Sequence, residues 1–329
     1  MRSRLARAER LLAWGLRPLG SGFTTACRDA VLAFRCADGG FRGRQGSADL
    51  WYTDFALRTL VLTGAPAEVF TESARWLENH APPIDQPAVF NRLNLHRMLN
   101  LKTAFGVRRS AFGVCLLELL TLKAFAHPRN DTDIVSPYLS TPNASSRISA
   151  YHILLDSACC DLTGQRPPAR LVTPLAQLAR ADGGFAERSD ELESQVNASA
   201  AALAALALAG QLDRRTRNAT ALFLASQQGE DGGLKAHPLA PASDLLSTFT
   251  ALWALNACRR LDSLRLGDLG RFVLRCRSVN GGFSASPDDA ADDPEYIYYG
   301  LAALALLRLH ADDGFIHRMR RWWILLKPG

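Results

Sequence analysis

Segments rich in alanine and leucine recur along the chain and alternate with segments that are charged on one face only. Four of the apolar segments share one pattern, with a polar residue in first place and leucine in ninth and twelfth place. They span residues 49–60, 195–206, 244–255 and 293–304. An Asp before an apolar run is a typical N-cap, so the pattern predicts helices that begin at these positions. Because they are apolar on nearly every side, we expect them to be buried.

A glycine pair precedes each apolar segment by about ten residues. The pairs begin at Gly39, Gly183, Gly232 and Gly281. The last three are 49 residues apart, and Gly39 lies 144 residues before Gly183, which is three steps of 48. The segments before the glycines, such as 168–180, 214–228 and 264–277, have one polar face and predict amphipathic helices. A fixed period of this size indicates a repeat in which each unit is an outer helix, a glycine turn and an inner helix.

The spacing leaves room for two further units without the glycine signature. Their predicted helices are 66–80 and 87–102, then 108–125 and 143–160, with a proline-containing loop at 127–142. Six such hairpins bury their inner helices only by stacking on one another. We therefore predict an all-α fold, a single α6/α6 toroid with a double ring of twelve helices. The toroid is expected at 21–310, with extra helices at 1–20 and 311–329.

Composition agrees with one domain, because 329 residues with 48% hydrophobic side chains suffice for six units of this length. Seven cysteines occur without a CxxC pair, which favours buried thiols in a reducing compartment over disulfides or a metal cluster. Residues 1–20 are basic and amphipathic, and they predict a surface helix and not a signal peptide. The expected location is the cytoplasm.

The net charge of +6 is partly local, since residues 317–327 combine cations with two tryptophans and a leucine run. Two interpretations stay open: an interfacial segment in peripheral contact with a membrane, or a last helix docked on the ring, which we favour. No nucleic-acid recognition module is visible, so we expect no nucleic-acid partner. The sequence does not identify a protein partner.

The glycine–aromatic turn followed by a buried helix resembles the prenyltransferase and squalene-cyclase repeat over about residues 20–310. The repeat occurs in protein prenyltransferase β subunits and in class II terpene cyclases. The resemblance implies a central apolar cavity that holds an isoprenoid chain, so the expected partner is a hydrophobic, isoprenoid-like small molecule. It also implies an enzyme.

For comparison with known sites, the first residue of each apolar segment is numbered position 0. The zinc ligands of protein prenyltransferases then correspond to positions 0 and 2 of one segment and to position 3 of the next. These positions hold Asp244, Leu246 and Tyr296. Leucine cannot bind zinc, and tyrosine is a poor substitute for histidine. We therefore expect no metal and no other cofactor.

The acidic motif of class II cyclases would occupy positions 0, 2 and 3, where the sixth unit has Asp293, Glu295 and Tyr296. Glu295 stands where the proton-donating Asp of those enzymes would stand. A carboxyl group in an apolar pocket has a raised pKa and can stay protonated as a general acid. The alternative is structural: Asp293 caps the helix, Pro294 is its first residue, and Glu295 favours its first turn. Asp131 and Asp133, on the 127–142 loop, are a second acidic candidate.

Several other residues at the start of inner helices are candidates for substrate binding. Aromatic rings there can line an isoprenoid pocket and stabilise a carbocation. Arg44 resembles a residue that helps prenyltransferases bind diphosphate, and cationic or imidazole side chains on a buried helix need a partner or a function. The candidates are Arg44, Asp49, Trp51, Tyr52, His96, Arg147, His152, Tyr296, Tyr298 and Tyr299.

The predicted function is an enzyme that acts on an isoprenoid in the toroid cavity. The favoured chemistry is metal-independent, acid-initiated cyclisation or isomerisation, with Glu295 or Asp293 as the acid and Asp244 and Tyr296 in the same register. The alternatives are a zinc-independent prenyl transferase that uses a diphosphate, and a non-catalytic toroid that binds a lipid or a protein.

Overall fold

The computed structural model describes residues 4–81, 85–104 and 148–311. Within them the helices, in chain order, are α1 Arg4–Leu16, α2 Ser21–Leu32, α3 Leu50–Thr63, α4 Ala67–Asn79, α5 Gln86–Ala104, α6 Ala150–Leu162, α7 Ala169–Val172, α8 Val196–Ala209, α9 Arg214–Ser226, α10 Leu245–Cys258, α11 Leu266–Arg275 and α12 Pro294–Ala311. Short 3-10 turns span Arg17–Leu19, Thr173–Gln177 and Leu261–Ser263. Strands β1 (Leu234–Lys235) and β2 (Ser243–Asp244) form a two-stranded antiparallel hairpin.

Six helices form a closed inner ring. Each of α3, α5, α6, α8, α10 and α12 packs against the next, and α12 packs back against α3. Helices α2, α4, α9 and α11, together with α7 and the 3-10 turn after it, are the outer members of their units. This confirms the all-α toroid. The predicted outer helix at 108–125 and the loop at 127–142 lie outside the described residues, and so does the start of the predicted inner helix at 143–160.

The glycine turns join each unit to the outer helix of the next. All four leading glycines have a positive φ, between 88° and 95°. A Cβ on Gly232 would lie 2.5 Å from the Asp268 carbonyl oxygen, and one on Gly183 would lie 2.8 Å from the Ala219 carbonyl oxygen. Only glycine allows both the backbone conformation and this close approach.

One hydrogen bond recurs at this junction and shows where the ring closes. The Ser73 hydroxyl on α4 donates to the Gly39 carbonyl, and Thr220 on α9 donates to Gly183, both at 2.8 Å. In the same position on α2, the Cys27 thiol donates to the Gly281 carbonyl at 3.2 Å. The outer helix of the first unit is thus seated on the turn of the sixth.

A second recurring bond ties each turn to its own inner helix. The hydroxyls of Thr53, Ser199 and Thr248, all in fifth place of the apolar segment, accept the N–H of the residue after the glycine pair at 2.8 to 2.9 Å. This explains why three of the four segments carry Thr or Ser there. In the sixth unit the place is taken by Ile297.

Helix α1 corrects the expectation for residues 1–20. The predicted helix forms, but it does not lie on the outer surface of the toroid. It packs against α3, α6 and α12 of the inner ring, with Leu12 and Leu16 fully buried. The basic amphipathic pattern was compatible with either location.

One interpretation of the sequence concerned contact with a membrane. Within the described residues, none of the helices combines the length and the hydropathy that crossing a bilayer requires. Residues 317–327, for which peripheral membrane contact was one interpretation, lie outside the described part of the chain.

Candidate active site

The inner helices keep a partly exposed stripe although they are surrounded by the outer ring. The residues of this stripe are separated by three, four or seven positions and so lie on one helix face. On α8 and α10 they are Asn197, Ala204 and Ala207, and Leu246, Thr250 and Trp253. The Thr250 hydroxyl donates to the Asn197 side-chain oxygen across the two helices at 2.6 Å. Partial exposure of a face that neither the outer helices nor the neighbouring inner helices cover indicates open space at the centre of the ring.

Glu295 places a carboxyl group at this centre. Asp293 caps α12 and Pro294 is its first residue, so Glu295 lies in the first turn, as the structural alternative expected. Its side chain nevertheless makes contacts that a solvated first-turn residue does not make. Trp51 Nε1 donates to Oε2 at 3.1 Å, and the Tyr299 hydroxyl donates to Oε1 at 2.9 Å.

Burial raises the pKa of the Glu295 carboxyl. The hydrogen bonds from Trp51 and Tyr299 favour the ionised form and oppose this effect, while the nearby Asp293 adds to it. The carboxyl group therefore holds its proton more tightly than an exposed glutamate does, and donors that can stabilise the anion are already in place.

Asp293 has a largely structural environment. Its Oδ1 accepts the N–H groups of Glu295 and Tyr296 at 3.0 and 3.1 Å, which caps α12. Its Oδ2 lies 3.3 Å from Nε of Arg44. Arg44 also binds Asp289, at 2.5 Å, and the Ala291 carbonyl, at 2.7 Å. The guanidinium thus joins the loop before α3 to the loop before α12, and two carboxylates already neutralise it.

An aromatic wall stands beside Glu295 and is formed by α3, α10 and α12. Phe249 stacks on Tyr299 with ring centroids 5.1 Å apart. Phe55 packs edge-on against Tyr299 at 5.3 Å and against Trp51 at 5.3 Å, and it lies 5.7 Å from Tyr298. Faces and edges of π systems at these distances form a surface that suits an apolar or cationic guest.

Tyr151 on α6 has the same place in its segment as Glu295 has in α12. Burial raises the pKa of its phenol, which also feels the charges of Arg58 and Glu295 across the ring. Sequence reasoning missed this residue because the third unit lacks the glycine signature from which positions were counted.

Asp49 and Asp244 act as helix caps. Each accepts the N–H of the residue three positions later, Tyr52 and Ser247 respectively, at 2.7 Å. Burial raises the pKa of both carboxyl groups. The ring of Tyr52 lies over Gly43, where an added Cβ would meet it at 2.4 Å. The capping bonds explain the presence of Asp49 and Asp244 without a catalytic role.

The two histidine candidates that the structure describes differ in burial. His152 is exposed in the first turn of α6, so the argument from the cost of a buried imidazole is wrong for it. Its ring lies beside that of Tyr151, with centroids 6.2 Å apart. His96 is half-buried within α5. Arg147 lies outside the described residues, as do Asp131 and Asp133.

A buried ion pair below the aromatic wall was also missed. Asp54 and Arg58, four residues apart on α3, approach to 2.5 Å, and Asn94 on α5 donates to Asp54 at 2.6 Å. The Arg58 guanidinium lies over the rings of Phe55 and Tyr298 at 5.2 and 5.5 Å. A charged pair at helical spacing on an otherwise apolar helix was the available signal.

In the part of the chain that the structure describes, no three His, Cys, Asp or Glu side chains cluster as ligands for a metal ion. At the position equivalent to the prenyltransferase zinc site, Asp244 caps α10, Leu246 is apolar, and Tyr296 packs on Tyr299 at 6.1 Å. Of these three positions only Asp244 carries a carboxylate, and its Oδ1 accepts the Ser247 N–H.

Comparison with known proteins agrees with the fold. Residues 15–85 and 133–327 match the family described as prenyltransferase alpha-alpha toroid domain. Over 145 residues the chain is 26% identical to the protein farnesyltransferase β subunit of Arabidopsis thaliana. The aligned region covers 42% of this chain and only 30% of that subunit.

Among solved structures, the type II terpene cyclase MstE from Scytonema is similar over nearly its whole length. A variant in complex with geranylgeranyl dihydroxybenzoate superposes with a TM-score of 0.53 at 16% identity, covering 93% of this chain and 99% of the other. A complex with merosterolic acid A gives a TM-score of 0.52 with the same identity and coverage. At such identity the likeness concerns the fold alone.

Proposed function

The chain belongs to the prenyltransferase α/α-toroid family, and from this premise we propose that it is an enzyme that protonates an isoprenoid at Glu295 and so starts its cyclisation or isomerisation. The observation that carries the proposal is the half-buried Glu295 carboxyl, held at both oxygens and flanked by an aromatic wall. MstE, which shares the fold, was solved with a geranylgeranyl compound, and this supports an isoprenoid as the substrate class.

The two hydrogen bonds suggest which oxygen carries the proton. An indole N–H can only donate, so Oε2 must act as the acceptor for Trp51. A hydroxyl both donates and accepts, so a protonated Oε1 is compatible with Tyr299. In the proposed step the O–H bond at Oε1 breaks, and the π electrons of a substrate alkene form a new C–H bond. The other alkene carbon becomes a carbocation, and Glu295 becomes a carboxylate.

The same residues stabilise both products of this step. Trp51 and Tyr299 donate to the new carboxylate, and hydrogen bonds to an ionised acceptor are stronger than those to a neutral one. The carbocation finds the rings of Phe55, Phe249 and Tyr299 within reach of the same centre. Intramolecular attack by a second alkene and loss of a proton to the carboxylate or to water complete an isomerisation that consumes no cofactor.

The transferase alternative is less well supported. It needs a cation that is free to bind a diphosphate, and Arg44 is engaged with Asp289 and Asp293. The non-catalytic alternative does not explain why a carboxyl group is half-buried beside an aromatic wall, where desolvation makes its ionised form costly. Both remain distinguishable outcomes of the experiment below.

The experiment is incubation of the protein with geranylgeraniol and, separately, with geranylgeranyl diphosphate in deuterated buffer, followed by mass spectrometry. Protonation by Glu295 places one solvent deuteron in an isomeric product that keeps its oxygen substituent. Release of diphosphate without deuterium uptake would contradict the proposal and favour a transferase. Binding of either probe without conversion would favour a binding protein.

Glu295→Gln is the matching variant, and Glu68→Gln is its control. Glu68 is the exposed second residue of α4, as Glu295 is the second residue of α12, so both changes remove one acid from a helix first turn. We expect Glu295→Gln to lower the rate by about 10²–10⁴-fold, the usual contribution of general acid catalysis. Equal rates in both variants would refute the assigned role.

A further inference from the structure

The inner ring has two ends with different character. All six inner helices run in the same direction, because each follows the outer helix and turn of its own unit. Their starts, with the capping residues Asp49, Asp244 and Asp293, lie at the rim of the glycine turns. Glu295 lies in the first turn of α12, at that rim. The other end of the ring is where the inner helices finish.

Helix α1 lies across that second end. The Arg4 N–H donates to Asp161 near the end of α6, and its guanidinium donates to the Ala207 carbonyl near the end of α8, both at 2.7 Å. Gly15 lies so close to α12 that a Cβ there would be 2.4 Å from the Ala305 carbonyl oxygen. Together with its contacts to α3, these bonds anchor α1 on opposite sides of the ring.

A chain of polar contacts connects α1 to the centre. Glu9 pairs with Arg97 on α5 at 2.6 Å, and Arg97 binds the Asn94 side-chain oxygen at 2.6 Å. Asn94 in turn donates to Asp54, the partner of Arg58. The chain contains two acidic and two basic side chains, all largely buried. Without Glu9 the other three charged side chains, Arg97, Asp54 and Arg58, would carry one uncompensated positive charge, so Glu9 supplies the compensating carboxylate while α1 covers this end of the ring.

We infer that α1 is the floor of the substrate chamber and limits the length of isoprenoid that the chamber accepts, with Glu9 as the positioning residue that holds α1 there. The inference rests on the proposed function for the identity of the substrate class. Glu295 and Ala305 are ten residues apart on α12, so the acid and the floor are separated by about 15 Å at 1.5 Å per residue. A longer chain has to displace α1.

Gly15→Ala tests the inference, because the added methyl group would meet backbone and force α1 away from α12. Gly22→Ala on α2 is the control, since nothing lies within 4 Å of its added methyl group. The measurement is the affinity for farnesol, geranylgeraniol and geranylfarnesol, and binding is monitored by the quenching of tryptophan fluorescence. Trp51 and Trp253 border the centre and supply part of the signal. We expect Gly15→Ala to shift the affinity ratio of the longest to the shortest alcohol at least ten-fold above that of Gly22→Ala.

An unchanged ratio in a folded Gly15→Ala protein would overturn the inference, as would failure of all three alcohols to bind the wild-type protein. If Gly15→Ala does not fold, Glu9→Gln tests the inference instead, because it keeps the shape of α1 and removes only the charge of the Glu9 carboxylate. Hydrogen exchange of the α1 amides should then be faster in Glu9→Gln than in Glu68→Gln. The affinity ratio of the longest to the shortest alcohol should rise at least two-fold. Equal exchange and an equal ratio would refute the role of Glu9.

Binding and turnover separate this inference from the proposed reaction. If the affinity ratio of the longest to the shortest alcohol shifts but no product contains solvent deuterium, the role of α1 as the floor is supported and the role of Glu295 as the acid is refuted. Deuterium uptake together with an affinity ratio that is unchanged in the α1 variants would support the acid and refute the floor.

Discussion

Replacing Thr248 with valine tests whether the recurring hydroxyl holds the glycine turn. Thr248 is fully buried, and its hydroxyl accepts the N–H of Leu234, also fully buried, at 2.9 Å. Valine has nearly the same shape, so packing is retained while the N–H loses its acceptor. An unsatisfied buried donor costs about 1–3 kcal/mol. We expect the free energy of unfolding to fall by about that amount, because water has no access to replace the bond.

The assay is thermal unfolding followed by circular dichroism. For a large domain each kcal/mol shifts Tm by about 2 °C, so the expected fall is about 2–6 °C. The control is Thr71→Val on α4, whose exposed hydroxyl bonds only to the Ala67 carbonyl of its own helix. Surface changes of this kind stay within about 0.5 kcal/mol. A Tm for Thr248→Val equal to that of Thr71→Val would refute the structural role of the bond.

Two further predictions concern the turn and the acid. Gly232→Ala should destabilise the protein by at least about 2 kcal/mol, since the residue combines a positive φ with a methyl group 2.5 Å from the Asp268 carbonyl oxygen; Gly267→Ala, which meets only a flexible side chain at 3.7 Å, should not, and equal melting temperatures would contradict this. Because burial raises the pKa of Glu295, its contribution to stability is complete below the unfolded pKa of about 4.3 and is lost as pH rises through the folded pKa. The stability of Glu295→Gln relative to wild type should therefore increase with pH in denaturant titrations, and a flat difference would count against a raised pKa.

The fold could be predicted because its determinants are local and repeated. A positive φ at Gly183 or Gly232 and a cap at Asp244 act within a few residues, so one unit's sequence reveals them. Ring closure followed from the count of units. The third unit was harder to place, since it has neither the glycine pair nor an Asp cap. Its inner helix is capped by Ser149, whose hydroxyl accepts the His152 N–H at 3.2 Å.

The candidate site was predicted only in part, because its contacts join residues distant in sequence. The register identified Glu295, but its bond to Trp51 spans 244 positions and exists only because α12 packs on α3. The pairing of Glu9 with Arg97 has the same origin. Arg44 was a candidate ligand for diphosphate because of the resemblance to prenyltransferases, and its local sequence could not show its contact with Asp289, which lies in the last unit.

Comparison of equivalent positions shows how one repeat serves both structure and chemistry. Position 0 caps the helix, as in Asp244, and position 4 binds the turn, as in Thr248, so both are constrained by backbone groups. Position 2 has no backbone partner to satisfy and faces the centre. It is Trp51 in the first unit, Asn197 in the fourth and Glu295 in the sixth. Variation there leaves the ring intact while changing what the centre can do. A new activity in such a toroid should therefore arise first at position 2, and exchanging residues between these positions should alter substrate conversion far more than stability.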